Sequence, residues 1–299
     1  MNLRDLRYFV ALADTKHFGK AAERCYVSQP TLSAQIKKLE NYLGVQLIER
    51  QPRRVQLTET GARIVPIARR MLQESDDIIA LARNEHDPLS GKINVALIPT
   101  IGPYLLPVVM RRLRKQLPRL KLMLYEYQTQ ALLEKMRAGD IELGILALPV
   151  ALDGLESREL YEEPFTVAVP SNSELAKKSN MKIDDLNGET VLLLEDGHCL
   201  RDQALDVCSR VDAKESEDYR ATSLETLRQM VAAGLGITLL PELATRGPFG
   251  SGQGLAVKTF VRPVPFRTVG AIWRKSSARF EAIKAICDVI ETAIKESRK

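Results

Sequence analysis

A change of sequence texture at residues 85–91 constrains the fold of this 299-residue chain more than any other feature. Before it, apolar residues recur at steps of three and four, which is the period of helices that bury one face. From Lys92 onward, short apolar runs alternate with helical stretches, which favours open α/β sheets. The segment between them holds Pro88, Ser90 and Gly91, residue types typical of a hinge. The sequence therefore predicts a helical N-terminal part followed by a larger α/β part folded as two lobes.

The N-terminal part has the pattern of a helix-turn-helix. Apolar faces predict helices over residues 3–13 and 19–24, and a third helix that begins after Ser28, a good N-cap, and ends at Gly44. The second helix of such a motif can enter the major groove of DNA, where hydroxyls and amides read base edges and cations bind phosphate. The candidate DNA contacts on and before this helix are Ser28, Gln29, Pro30, Thr31, Ser33, Gln35, Lys37 and Lys38.

A basic hairpin is predicted directly after the third helix. Residues 45–50 and 54–58 have strand character, and the wing they form adds Arg50, Arg53 and Arg54 to the candidate DNA contacts. The first 60 residues hold ten Lys and Arg against six Asp and Glu, so they carry +4 of the net charge of +5. A plain three-helix core with a charged surface would also show a basic excess. Its combination with the wing and the helix spacing favours DNA binding.

A long helix is predicted over residues 59–84, capped by Thr58 and interrupted by Pro66. It would be about 39 Å long at roughly 1.5 Å per residue. Apolar and small residues at alternating steps of three and four predict a short coiled-coil seam for dimerisation. The alternative is that the helix packs on its own domain. The predicted seam consists of Val65, Ala68, Leu72, Ser75, Ile79 and Ala82.

The α/β part is predicted to bind ligands where strands end and helices begin. Candidate edges of this kind are residues 99–102, 128–130 and 220–223, the last with Ser223 as an N-cap. The predicted strands are residues 93–98, 121–127, 141–148, 165–169, 190–194, 237–240 and 267–273, and the last helix covers residues 278–299.

Cys199 and Cys208 lie nine positions apart in a segment predicted to be a turn running into a helix. One helix carrying both would separate the sulfurs by about 13 Å along its axis. Because a disulfide needs Cα atoms within about 7 Å, a bond between them requires the segment to unwind. Cys199, after His198, would start the helix, where free N–H groups favour a thiolate, and Arg201 is close in sequence. Cys208 falls on an apolar face; an inert pair of thiols remains the alternative.

Enzyme and metal chemistry have little support in the sequence. His17, His86 and His198 are scattered, and the chain has neither a Cys-x-x-Cys pair nor a phosphate-binding glycine loop nor a serine elbow. Cys25 and Cys287 are predicted to be core residues. The sequence therefore predicts no metal, no cofactor and no enzymatic activity. It also lacks an apolar run of about 20 residues and a signal-peptide pattern, which predicts a cytoplasmic protein without a membrane partner.

Three groups of motifs resemble the LysR-type transcriptional regulators over essentially the whole chain. Within that family, the C-terminal motifs resemble the members that sense hydrogen peroxide. The carrying residues are Ala21 and Ala22, residues 27–33, 36–40, 43–45 and 47–50, and, in the α/β part, residues 98–107, 194–204, 220–228 and 237–241.

This resemblance implies an α/β fold class with an N-terminal winged helix-turn-helix over residues 1–58, a linker helix and hinge over 59–91, and a regulatory domain over 92–299. The regulatory domain would have two lobes of the periplasmic-binding-protein type, lobe I from residues 92–162 and 268–299 and lobe II from residues 163–267. Cys199 would be the peroxidatic thiol and Cys208 its disulfide partner. The implied peroxide pocket consists of Thr100, Thr129, His198, Asp202 and Arg267.

The resemblance also implies partners. They are double-stranded promoter DNA, further copies of the chain in a homotetramer built as a dimer of dimers, RNA polymerase, hydrogen peroxide as the signal, and a thiol reductant of the glutaredoxin or thioredoxin type. Two other functions remain open on the sequence. One is a regulator that answers to a small metabolite in the inter-lobe cleft. The other, from a different class, is a thiol peroxidase.

Overall fold

The structure, a computed structural model, describes residues 1–51, 54–84, 87–209, 211, 213–246 and 254–298. The chain forms two compact units, Met1–Asp87 and Pro88–Lys299. Their boundary falls within the predicted hinge, of which residues 85 and 86, including His86, lie outside the described residues.

The N-terminal unit contains four helices and a hairpin in its described part. The helices are α1 (Leu3–Thr15), α2 (Phe18–Arg24), α3 (Gln29–Leu43) and α4 (Glu59–Asn84), and the antiparallel strands are β1 (Ile48–Gln51) and β2 (Arg54–Leu57).

Local capping chemistry explains where these helices begin and end. The Ser28 hydroxyl accepts a hydrogen bond from the Thr31 amide at 3.3 Å, and the Thr58 hydroxyl accepts one from the Gly61 amide at 2.9 Å. Gly44 ends α3 with φ of 70°, a left-handed conformation that glycine adopts without strain. The predicted caps of α3 and α4 and the predicted end of α3 are therefore confirmed.

The packing of α4 corrects the predicted coiled-coil seam. Val65 and Ala68 are buried in the core of the N-terminal unit, and Leu72 packs against that core. The first half of the seam therefore faces the helix's own domain, which is the alternative reading of its pattern. Among the described residues of α4, Ile67, Met71, Ile78 and Ile79 are exposed, and Ile79 belongs to the second half of the predicted seam.

The C-terminal unit alternates strands and helices. Its strands are β3 (Gly91–Leu97), β4 (Leu120–Glu126), β5 (Leu143–Leu148), β6 (Leu155–Pro170), β7 (Thr190–Leu194), β8 (Lys214–Ala221), β9 (Thr238–Pro241), β10 (Leu255–Thr259) and β11 (Phe266–Arg274). Its helices are α5 (Gly102–Gln116), α6 (Thr129–Ala138), α7 (Cys199–Cys208), α8 (Leu224–Ala232) and α9 (Phe280–Ser297).

One long strand, β6, belongs to two sheet regions at once. Residues 155–164 pair with β11, which continues through β5 and β3 to β4. Residues 165–170 pair with β9 and β10 on the other side of the crossing. The parallel pair of β7 and β8 lies beside the second region, and α7 follows β7 directly in the chain. The unit is thus two-lobed, with β6 and β11 at the crossing between the lobes.

The strand predictions hold where apolar runs are strong and fail where polar residues interrupt them. Strands β8 and β10 and the first half of β6 were not predicted. Strand β8, Lys214–Ala221, is rich in charged residues and has no apolar run, so its sequence does not resemble a buried strand. The predicted last helix is confirmed as α9, which buries Ile283, Ile286, Cys287, Ile290 and Ile294.

Gly61 gives a test of how the wing packs on α4. A Cβ at this position would lie 2.2 Å from the backbone oxygen of Leu47, which cannot move as a flexible side chain can. We expect Gly61→Ala to lower the free energy of unfolding of the N-terminal unit by about 1 to 3 kcal/mol, the usual cost of overpacking. Hydrogen exchange of α1 and α3 in the full chain measures this loss. Thr60→Ala, at the exposed preceding position, is the control, and equal protection in both variants would contradict the prediction.

Candidate functional site

The two cysteines of the predicted switch occupy the two ends of α7, Cys199–Cys208. Nine residue steps of intact helix separate them by about 13 Å along the axis. All four cysteines of the chain are free thiols in this structure. Cys199 is half-buried and packs against the larger apolar core of the unit, whereas Cys208 is buried within a second core. The predicted helix and the buried position of Cys208 are confirmed.

The environments of the two thiols differ in chemistry. Cys199 is the first residue of α7, where backbone N–H groups lack helical partners and favour negative charge. Cys208 is at the opposite end, and burial raises the pKa of its thiol to about 11. A thiol with so high a pKa is protonated near neutral pH and is a poor nucleophile. Cys199 is therefore the better placed of the two to react first.

A cleft of about 630 Å³ opens beside Cys199. Helix α7 forms one wall with Cys199, Asp202 and Gln203, and the other walls come from the end of β5, the middle of β6 and the start of β11. Arg267 on β11 lines the same cleft. Of the five predicted pocket residues, the structure thus brings Asp202 and Arg267 to the cavity that holds the thiol. The residues that line it do not include Thr100, Thr129 or His198 among those described.

Arg267 is fixed in place by a buried network of hydrogen bonds and an ion pair. Its Nε and Nη2 donate to Glu163 Oε2 at 2.9 and 2.7 Å, and both side chains are about 1% exposed. Its Nη1 donates to the Thr100 hydroxyl at 3.0 Å and its Nη2 to the Thr100 carbonyl at 2.9 Å. Because Thr100 Oγ1 accepts from the guanidinium, its own hydrogen is directed elsewhere. Thr100 is therefore part of the site through Arg267.

His198 precedes Cys199 and is held from the other lobe. Its Nε2 lies 3.1 Å from Nε2 of Gln128, the residue before α6. Burial lowers the pKa of His198, and the Glu195 carboxylate, 4.0 Å away, acts in the opposite direction. Thr129, next to Gln128, has a buried hydroxyl without a hydrogen-bond partner among the described residues. Such a group is suited to a small polar ligand.

Arg201, which is close to Cys199 in sequence, forms ion pairs with acidic residues. Its guanidinium is nearly buried and contacts Glu215 at 2.6 Å and Asp196 at 3.0 Å. Arg220 joins both acids, at 3.4 Å from Asp196 and 3.5 Å from Glu215. The positive charge of Arg201 is thus paired with two carboxylates, so it does not stabilise a thiolate at Cys199 in the expected way. Instead, the four-residue ion cluster fastens the first turn of α7 to β8.

Two site residues, Glu163 and Gln203, were missed by sequence reasoning, and Gln128, within the predicted edge 128–130, was not predicted to contact His198. Glu163 neutralises Arg267, Gln128 contacts His198, and Gln203 lines the cleft with a buried Oε1 that has no partner in the described part of the chain. Gln203 sits one helical turn after Cys199, so its spacing could have suggested it. Glu163 and Gln128 come from distant elements, and nothing in their local sequence signals the contact.

The predicted DNA contacts are mostly accessible on the N-terminal unit. Gln29, Pro30, Thr31, Lys37 and Lys38 are exposed on α3, while Ser33 and Gln35 are half-buried. The Ser28 hydroxyl is exposed but caps α3 and lies 2.7 Å from that of Thr31. Arg50 and Arg54 lie on the two strands of the hairpin, and Arg53 lies outside the described residues. Glu40 accepts from the Leu47 and Ile48 amides at 2.9 and 3.2 Å, which pins the hairpin to α3.

Neither a metal centre nor a membrane span is found in the described ranges. They contain no group of three or more His, Cys, Asp or Glu that could hold an ion, and no helix long and apolar enough to cross a bilayer. Cys287 is buried, and burial raises the pKa of its thiol to about 12. Cys25 is half-buried, and its pKa is also raised by burial, which Arg24 partly offsets.

Two protein-family models match the chain in order. The bacterial regulatory helix-turn-helix protein, lysR family, matches residues 3–62, and the LysR substrate binding domain matches residues 86–295. The chain is 44% identical over 286 residues to the DNA-binding transcriptional dual regulator OxyR of Escherichia coli, covering 95% of this chain and 93% of that protein.

Solved structures give the same picture. Full-length OxyR from Pseudomonas aeruginosa, with a cysteine-to-aspartate substitution, matches with a TM-score of 0.80 and 40% identity, over 97% of this chain and 98% of that chain. A cysteine-to-serine mutant of Corynebacterium glutamicum OxyR, bound to hydrogen peroxide, matches with a TM-score of 0.69 and 36% identity, over 99% and 93% of the two chains. The chain therefore belongs to the LysR family of transcriptional regulators, in the group of the OxyR proteins, the hydrogen peroxide-inducible genes activators.

Proposed function

We propose that this protein is a DNA-binding transcription regulator that senses hydrogen peroxide through a thiol/disulfide switch between Cys199 and Cys208 and activates antioxidant genes. The observation that carries the proposal is the asymmetry of the two thiols on α7. One lies at the helix start beside an open cleft, and the other is buried at the helix end. A chain that also has a LysR-type helix-turn-helix can turn their oxidation into a change in DNA binding.

The first step is attack of the Cys199 thiolate on one oxygen of the peroxide. The O–O bond breaks, Cys199 becomes a sulfenic acid, and hydroxide leaves, taking up a proton to become water. Thr100, Thr129, His198, Asp202 and Arg267 are the residues proposed to hold the peroxide. The Thr100 hydroxyl accepts from Arg267, which leaves its hydrogen to donate, and the Thr129 hydroxyl has no partner among the described residues. Both support this assignment, because a peroxide both donates and accepts hydrogen bonds.

The second step joins the two sulfurs. The Cys208 thiol loses its proton and attacks the sulfenic sulfur, an S–S bond forms, and the sulfenic oxygen leaves as water. This cannot happen within α7 as it stands, because about 13 Å of helix separates the sulfurs. Helix α7 must therefore unwind, and Cys208 must leave its core. A thiol reductant of the glutaredoxin or thioredoxin type would return both cysteines to thiols.

The N-terminal unit would bind the promoter DNA whose transcription the switch controls. Its exposed α3 residues and basic hairpin would contact promoter DNA, and the exposed row Ile67, Met71 and Ile78 on α4 offers an apolar face for a second copy. We propose a homotetramer, built as a dimer of dimers, that contacts RNA polymerase in the cytoplasm. Refolding of α7 would change how the copies assemble and hence which half-sites they occupy.

Alkylation before and after peroxide treatment tests the switch. In the reduced native protein near pH 7, iodoacetamide should modify Cys199 and leave Cys208 unmodified, because only the first is accessible at a helix start. After stoichiometric peroxide, neither should be alkylated, and mass mapping should find a peptide pair joined through Cys199 and Cys208. Cys199→Ser should keep a free Cys208, and Cys287 is the internal control. Two free thiols after peroxide would refute the proposed switch.

The raised pKa of Cys208 predicts a specific dependence of stability on pH. Below about pH 8.5, the ordinary pKa of an unfolded thiol, folded and unfolded Cys208 are both protonated and its burial contributes fully. Above that, the unfolded thiol ionises first, so stability is lost as pH rises toward about 11, the folded pKa. Scanning calorimetry of Cys199→Ser with and without Cys208→Ala, under reductant, measures it. The midpoint of the Cys208-containing protein should fall relative to Cys208→Ala over this window; a constant difference would contradict the prediction.

The DNA contacts are tested by salt dependence. Lys37→Ala and Lys38→Ala should weaken binding to every sequence and reduce the slope of log affinity against log salt by about one per bound protomer, since each lysine is proposed to contact phosphate. Gln35→Ala should reduce the preference for the target sequence and leave the slope unchanged, as expected of base readout. Lys275→Ala, an exposed lysine of the C-terminal unit, is the control. An unchanged slope in both α3 lysine variants would remove them from the interface.

A further inference from the structure

Gln128 connects the two lobes at the start of the redox helix. It precedes α6 in the lobe that carries β4, while His198 and Glu195 lie between β7 and α7 in the other lobe. Its side-chain Nε2 lies 3.1 Å from His198 Nε2 and 3.4 Å from Glu195 Oε1. This one amide group therefore contacts the residue directly before Cys199 across the inter-lobe boundary.

The hydrogen-bond roles in this contact follow from the chemistry of the groups. An amide nitrogen only donates, and a carboxylate only accepts, so the NH2 group of Gln128 must face Glu195. Its oxygen lies instead beside Gly197, where a Cβ would be 2.9 Å from Gln128 Oε1. His198 Nε2 must then accept from Gln128, which leaves the imidazole proton on Nδ1.

The same arrangement disfavours a charged His198. Protonation of Nε2 would place an N–H against the NH2 of Gln128, with no acceptor between them. Burial lowers the pKa of His198, and Glu195 on its own segment raises it. Glu195, at 4.0 Å, is the acidic group closest to the ring among the described residues, and the facing lobe presents the neutral amide of Gln128.

We propose that Gln128 is a positioning residue for the redox centre, which holds His198 neutral and in its Nδ1–H tautomer beside Cys199. A neutral imidazole cannot form an ion pair with the thiolate. The reactivity of Cys199 then stays independent of an imidazole titration near neutral pH. This inference rests on the proposed peroxide reaction of Cys199, but the tautomer itself does not.

Two variants of Gln128 separate the effects of the amide. Gln128→Met keeps the side-chain length and removes the donor, so His198 should populate both tautomers, and the rate of Cys199 oxidation should fall by up to about tenfold, the usual value of one hydrogen bond. Gln128→Glu replaces the donor with an acceptor, so His198 should become protonated at higher pH than in the natural chain. A second inflection from His198 should then appear in the pH profile of oxidation between about pH 6 and about pH 8. Gln130→Met is the matched control, because Gln130 is exposed on the same helix and contacts Glu134 within it at 3.0 Å.

Two measurements are made on the reduced and on the reacting protein. Nitrogen-15 NMR of the imidazoles, with three histidines in the chain, reports the tautomer and titration of His198 without any peroxide. Stopped-flow oxidation under single-turnover conditions gives the pH profile, and the melting temperature of each variant shows that it is folded. A wild-type tautomer and titration in both Gln128 variants would overturn the inference. A natural chain whose Cys199 is not oxidised by peroxide would overturn the proposed function and leave the tautomer result standing.

Discussion

The proposed switch depends on the rigidity of α7, which keeps the two thiols apart. A regular helix separates its first and tenth residues by about 13 Å, and no side-chain rotation closes that gap. The thiols are also separated by packing, because Cys199 contacts one apolar core and Cys208 belongs to another. Disulfide formation therefore competes with helical hydrogen bonds, with the burial of Cys208 and with the ion cluster of Arg201, Glu215 and Asp196. A bond that forms against these contacts must rebuild the segment.

The opposite wall of the cleft is built to stay in place. Arg267 and Glu163 form a buried ion pair whose remaining hydrogen-bonding groups reach Thr100 and the Leu243 amide. Removing one partner of such a pair leaves an uncompensated charge, which costs several kcal/mol, commonly about 3 to 5. The pair joins β6 and β11 at the crossing to the turn after β3. Peroxide would thus meet a fixed wall on one side and, on the other, a helix that can refold.

Local sequence signals predicted much of the site, whereas contacts between residues distant in sequence could not be predicted. Ser28, Thr58 and Ser223 were predicted as N-caps because a cap is decided within four residues, and each accepts the expected amide. The helix from Cys199 to Cys208 followed from its apolar spacing. The contacts of Glu163 and Gln128 could not be predicted, because their partners lie 104 and 70 positions away in sequence. The first half of the seam on α4 was misassigned for a related reason: periodicity identifies an apolar face but does not identify what covers it.

The asymmetry of the two thiols separates two properties of the sensor. The rate at which peroxide is captured depends on the surroundings of Cys199, which include the helix start, His198 and the cleft. Completion of the switch depends on how readily α7 releases Cys208, and that is a question of local stability. Substitutions in the ion cluster at Arg201 would act on the second property without touching the thiol or the cleft. In the proposed switch, peroxide sensitivity can therefore change while the reacting residues stay the same.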